Sequence, residues 1–151
     1  VMRAAAEWIK KYGHKKPWML WVECFDPHEP WDPPKHYYDI YKSPSYEGPI
    51  PIWGGMMIPF PEEYTEEELQ AAKASYAGEV TLVDYWIGRL LEKVDHLGLM
   101  DDTLIIFTSD HGTAIGEHGV VGKFPCGYRE VNRIPLIIWN PKNIRTTINK
   151  N

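Results

Sequence analysis

Cysteine is scarce. The 151-residue chain has two, Cys24 inside an apolar run and Cys126 in a Gly/Pro-rich loop, with no CxxC pair. A disulfide framework and a zinc knuckle both need several thiols at close spacing, so neither is expected. No stretch approaches the ~20 consecutive apolar residues of a membrane-spanning helix. Positive charge is thin and scattered: 16 Lys and Arg face 21 Asp and Glu, a formal net charge of −5. No basic stripe exists to neutralise the phosphates of a nucleic acid. Neither a nucleic acid nor a membrane is therefore an expected partner, and no internal repeat points to a solenoid.

What is present suits a folded domain. With 44% hydrophobic and 13% aromatic residues, a chain of this length could bury about two thirds of its unfolded surface in one core. The opening "VMRAAAEWIKKYG" has the pattern of an amphipathic helix rather than a signal peptide, and the compartment stays open. The chain begins within that helical pattern and stops at "IRTTINKN" soon after an apolar run. It reads as a single partial domain, residues 1–151, cut from a longer protein.

Ala5, Trp8, Ile9 and Tyr12 recur at helical spacing over residues 2–12, and Gly13 is a plausible stop. "WMLWVECF", residues 18–25, is apolar without alternation, as expected of a strand covered on both faces. Residues 42–62 hold five prolines and three glycines and no period of either kind, which predicts a long irregular loop of functional or merely connecting character. Thr65 and Glu68 form a capping box at the head of a long helix. Its apolar stripe, Leu69, Ala72, Tyr76, Val80, Val83, Ile87, Leu90, Val94 and Leu97, reads as core and ends at Gly98. Two further buried strands are expected at 103–109 and 134–140. Together these elements predict an α/β fold, a mostly parallel sheet flanked by helices.

In such sheets ligands bind beyond the carboxyl ends of the strands. The 18–25 strand runs out into "DPHEPWDPP", with Asp26 and His28 at its tip. The 103–109 strand runs out into "SDHG", with Asp110 and His111 at its tip. If the two strands are parallel, both pairs share one rim. A carboxylate beside an imidazole suits a divalent cation, although an Asp that caps a turn next to a packed His has the same sequence. Gly112, Gly116, Gly119 and Gly122 allow a tight loop that returns Lys123 toward the strand end, where it could pair with an anionic ester oxygen. His28 lies between Pro27 and Pro30, which should hold its backbone extended and leave the ring free to donate to a substrate or act as a general acid. Glu117 and His118 in the glycine loop are weaker candidates, and His14, His36 and His96 read as surface residues.

Taken in order, "PWMLWVECFDPHEPWDPP", "ASYAGEVTLVDYWIGRLLEKVDHLGLMDDTLIIFTSDHG" and "GEHGVVGK" resemble the sulfatases of the alkaline phosphatase superfamily, over nearly the whole chain. The resemblance implies an alkaline-phosphatase-like domain that cleaves a sulfate ester to an alcohol and inorganic sulfate. It implies that Asp110 and His111 are metal ligands, for a divalent cation that in this family is usually calcium. Lys123 then corresponds to the lysine that contacts the sulfate and reaches toward the leaving oxygen, and His28 to the histidine on the sulfate's other side.

The departures from the family pattern are specific. Sulfatases attack with a formylglycine made in a Cys/Ser-x-Pro-x-Arg motif, and none occurs here: "CFDPH" at Cys24 has its proline one place late and lacks arginine, and "CGYRE" at Cys126 lacks proline. The family's first metal-binding aspartates are also missing. The expectation is an internal to C-terminal portion of a sulfatase, inactive alone, whose partners are a small-molecule or carbohydrate sulfate ester and the N-terminal portion of the same enzyme. A phosphoester or phosphonate hydrolase of the superfamily is the alternative, and a non-catalytic binding or structural relative is a third reading. Trp31, Trp53, Tyr37, Tyr38 and Tyr41 could stack on a sugar ring.

Overall fold

A computed structural model describes residues 1–50, 58–59, 65–123 and 127–142 of the chain. Its helices are α1 (Met2–Tyr12), α2 (Lys35–Tyr41), α3 (Glu66–His96) and α4 (Arg129–Asn132). Its strands are β1 (Ile58–Pro59), β2 (Ile105–Thr108), β3 (Ala114–Ile115), β4 (Val120–Gly122) and β5 (Leu136–Trp139).

Helix α3 is the spine. At 31 residues it is roughly 46 Å long at the usual rise per residue. It starts where the sequence signals it: the Glu68 backbone N–H donates to Thr65 Oγ1 at 3.2 Å, and the Thr65 N–H donates to Glu68 Oε2 at 2.7 Å. Three glutamates in its first turn suit the positive end of the helix dipole. It ends before Gly98, whose φ of +67° supplies the left-handed residue that turns the chain away.

Each end of the spine carries a separate core cluster. Near its start, Leu69 and Ala72 pack with Trp31, Ile115 and Val121, and Tyr76 closes the side. Near its end, Val94 packs with Ile9 of α1 and Leu99. The first cluster is possible because the α3 surface there is made of small residues, Ala71, Ala72, Ala74, Ser75 and Gly78, all buried. A Cβ on Gly78 would lie 2.9 Å from the Pro33 ring, so the glycine lets the segment before α2 lie directly on the helix. Between the clusters cover is thin, and Val80 and Leu97 of the expected core stripe are exposed.

The sheets differ from expectation. All described ladders are antiparallel: β2 with β5, and β1–β4–β3 in a second sheet. The α/β class holds, but the mostly parallel pairing is not formed among the described residues. Residues 18–25 form no strand, and Met19, Trp21 and Phe25 are exposed. Strand β5 was expected to be buried, yet all four of its residues are exposed, as are Ile106 and Phe107 of β2. The reason is physical. An apolar run encodes the wish to be covered, while cover itself requires a second layer, and the described residues provide none over this sheet. Of the long loop expected at 42–62, residues 51–57 and 60–62, with Trp53, lie outside the described residues, as does Cys126.

Candidate active site

Two clusters of polar groups form around these elements. The first is built on the turn between Phe25 and Pro33. The His28 N–H donates to the Phe25 carbonyl at 3.0 Å, so this stretch is a turn and not the extended segment that the flanking prolines suggest. Trp31 anchors it, fully buried in the first core cluster with its ring edge-on to Tyr76. The His28 ring lies 4.2 Å from the Phe25 ring. Its Nδ1 is 2.6 Å from the carbonyl oxygen of Glu29, which can only accept, so Nδ1 carries the proton. That leaves the Nε2 lone pair to receive a hydrogen bond, and the Lys123 ammonium donates it.

Lys123 arrives there by the route its glycines allow. Strands β3 and β4 form a hairpin whose connection has positive φ at Gly116 and Gly119, and at His118 (φ +57°). The Gly116 N–H donates to the Val120 carbonyl at 2.8 Å, and the Glu117 carboxylate accepts from the Ile115 N–H at 2.6 Å, closing the turn. β4 is pinned between β1 and β3, so Lys123, the next residue but one after the buried Val121, emerges from a paired strand. It meets a group that sequence reasoning had not weighed. Glu29, only 6% exposed, places Oε2 3.2 Å from Lys123 Nζ and 3.5 Å from His28 Nδ1. Lysine, histidine and glutamate thus form one compact group from positions 94 and 95 residues apart.

The second cluster is at the tip of β2. The Asp110 side chain is 86% exposed and its Oδ2 lies 3.6 Å from His111 Nε2. Burial pulls the Asp110 carboxyl upward, but the hydrogen bonds from the His111 N–H and the Ser109 hydroxyl outweigh it and hold the group below its ordinary value. His111 Nδ1 is 2.8 Å from the Gly112 carbonyl, so by the same reasoning it carries the proton. Nε2 is left as a lone pair turned toward the carboxylate. An imidazole fixed by its other nitrogen beside an ionised carboxylate is the donor set of a metal-ligating pair. The pair fits two positions around a divalent cation; no group of three or more such ligands exists among the described residues. Gly112 is required behind it, because a Cβ there would sit 2.0 Å from the Glu130 carbonyl oxygen of α4.

Among the described residues no hydrogen bond or ion pair joins the two clusters. The expected shared rim is therefore represented by two separate groups, Asp110 with His111, and His28 with Glu29 and Lys123 in place of the expected Asp26. His118 is engaged elsewhere, stacked on Tyr128 at 3.9 Å and 3.2 Å from the Glu130 carboxylate. Two of the proposed sugar-stacking rings are unavailable: Trp31 is fully buried and Tyr38 nearly so. Cys24 is no activated nucleophile, since burial first and the Asp26 charge second push its thiol above the ordinary value.

The family model described as Sulfatase matches residues 1–151. The chain belongs to the sulfatase family. It is 31% identical to an arylsulfatase of Clostridium perfringens over 95% of this chain and 32% of that protein. Among solved structures, it resembles the putative sulfatase yidJ of Bacteroides fragilis with a TM-score of 0.75 and 31% identity, covering 95% of this chain and 31% of that one. It also resembles the phosphonate monoester hydrolase of Agrobacterium radiobacter, with a TM-score of 0.73 and 30% identity over 91% of this chain and 32% of that one. The fold is thus that of the alkaline phosphatase superfamily, and this sulfatase chain spans about a third of the length of the relatives it matches.

Proposed function

We propose that this chain contributes the sulfate-contacting side chains and part of the metal site of a sulfuric ester hydrolase. The observation that carries the reading is the meeting of Lys123 and His28 at the end of the glycine hairpin, in a chain whose whole length matches the sulfatase family. Asp110 and His111 would hold the cation, proposed to be calcium. The cation would stabilise charge on the sulfuryl oxygens, and a formylglycine elsewhere in the protein would be the nucleophile.

The chain's own residues have definable parts. Lys123 has three N–H donors, of which Glu29 and His28 occupy two, so one remains for an anionic oxygen of the ester. The Lys123 side chain is three-quarters buried, and water exclusion makes such a charge count for more as negative charge builds on the sulfuryl group. His28 Nε2, the ring nitrogen without a proton, accepts from the Lys123 ammonium in the resting site, and it would hold a proton for the departing alkoxide only after Lys123 turns that N–H to the ester. The substrate is proposed to be a small-molecule or carbohydrate sulfate ester. Of the rings considered for stacking, exposed Tyr41 and half-buried Tyr37 remain available.

The test is kinetic. The complete enzyme should hydrolyse an aryl sulfate, the isolated 151 residues should not, and Lys123→Ala in the complete enzyme should lower kcat by about 10²–10³-fold. A Lys123→Ala enzyme within twofold of wild type would refute the assignment. The phosphonate hydrolase likeness supports a second reading, because its TM-score nearly equals that of the sulfatase. Faster turnover of a phosphonate monoester than of the sulfate ester would favour it.

A further inference from the structure

We infer that Glu29 is a positioning residue that sets the Lys123 ammonium in place before substrate arrives, an inference that rests on the sulfate-contacting role proposed for Lys123. A carboxylate that is 6% exposed is costly unless paired. Its Oε2 is paired, with Lys123 Nζ at 3.2 Å, while Oε1 is buried with no hydrogen-bond partner among the described residues. A side chain held in so poor a solvation state, in a turn fixed by Trp31 beside it, marks an acid whose remaining contacts justify its burial. Those contacts are Lys123 and the His28 ring.

The geometry explains why lysine needs such help. Its four-carbon stem carries about 2 kcal/mol of rotamer entropy and a point charge with no preferred plane. Lys123 follows β4, whose strand pairing fixes its backbone but not the stem. Glu29 and His28 grip the ammonium from two sides and leave a single N–H direction open. Both come from the same turn, hydrogen-bonded from His28 to Phe25 and anchored by buried Trp31, so the direction is defined relative to the His28 ring that would face the same ester. Glu29 touches neither the ester nor the cation in this account; it acts only through Lys123. Its negative charge also opposes an incoming anion, so the arrangement makes sense only if orientation is worth more than the repulsion.

The experiment is a double-mutant cycle in the complete enzyme. Glu29→Ala should lower kcat/KM for an aryl sulfate by about 10²-fold, the usual penalty for a displaced catalytic group. Glu29→Gln, which keeps the length and one acceptor oxygen, should lose less. On a Lys123→Ala background, Glu29→Ala should cost under about threefold, because the group it positions is gone. Equal losses on both backgrounds would overturn the inference in favour of a general structural role. Glu29→Gln serves as the second arm if the alanine variant fails to fold. An activity-independent readout is the labelling of Lys123 by an amine-acylating reagent, followed by mass spectrometry, which should rise several-fold in Glu29→Gln. Unchanged labelling together with unchanged kcat/KM refutes the positioning. A wild-type enzyme inactive on sulfate esters, but with raised labelling in the variant, refutes the sulfatase reading and leaves the anchoring of Lys123 standing.

Discussion

Glu79 offers the sharpest test of how the scaffold beneath His28 is held. It lies on the small-residue face of α3, 3% exposed, with Oε2 buried and without a hydrogen-bond partner among the described residues. Burial first, then the charges of Asp26 and Asp32, raise its carboxyl from 4.5 to about 7, against the opposing pull of the Asp32 backbone N–H. Between those two values the folded protein binds more protons than the unfolded chain. Stability therefore falls as pH rises through that window, the reverse of the usual carboxylate. The contribution is fully present below about pH 4.5 and lost as pH passes 7. Taken at face value the shift corresponds to about 3 kcal/mol, a ceiling because neighbouring groups relax. Glu79→Gln keeps the shape and an acceptor for Asp32 but cannot ionise. Urea unfolding at pH 5 and pH 8 should show wild type losing up to about 3 kcal/mol more than the variant across the interval. Effects of the other titrating groups cancel in that difference. If the two proteins show the same pH dependence within about 0.5 kcal/mol, the buried-acid reasoning is wrong.

Gly112→Ala should cost about 1–3 kcal/mol, since its Cβ would meet the Glu130 carbonyl at 2.0 Å and force α4 away from Asp110 and His111; a neutral melting temperature would show that α4 does not press there. In the 151-residue chain, Ile9→Ala should cost about 2–4 kcal/mol from the second core cluster. Ile137→Ser, at a position 61% exposed, should stay within about 0.5 kcal/mol. Comparable losses from these two in denaturant titrations would mean that the β2–β5 sheet is covered. Trp31→Ala should cost about 3–5 kcal/mol and also free the His28 turn, read as faster amide exchange at His28 and Glu29.

Some of this architecture could be read along the chain. The limits of α1 and α3 follow from helical spacing and from Thr65, Glu68, Gly13 and Gly98, signals that act within one or two turns. Even there the mechanism differed at one end: Gly13 is not left-handed, with φ of −58°, and is needed because a Cβ would strike the Ile9 carbonyl and Leu99. The strands at 105–108 and 136–139 fall inside their expected runs, yet their antiparallel pairing was not legible, since an apolar run names no partner. The 18–25 run failed for the same reason, having no described neighbour to pair with.

The site divides along the same line. Asp110–His111–Gly112 and the glycine-spaced Lys123 were visible because their chemistry is local: adjacent candidate ligands, and a loop shaped by residues with no Cβ. Glu29 was not visible, because its importance comes from a lysine 94 positions later. Glu79 carried a faint signal as an acid four residues after Ser75 on the buried face of a helix, but only packing against the Asp26–Pro33 turn makes it costly to ionise. The sequence by itself determined which residue types could bind a metal or an ester anion, and where helices begin and end, since those properties depend on near neighbours and on the side chain itself. The tertiary structure alone decided that Lys123 meets His28 and Glu29, that Trp31 and Tyr38 face inward, and that the β2–β5 sheet has no cover among the described residues, because each depends on which segments meet, and no local pattern records that.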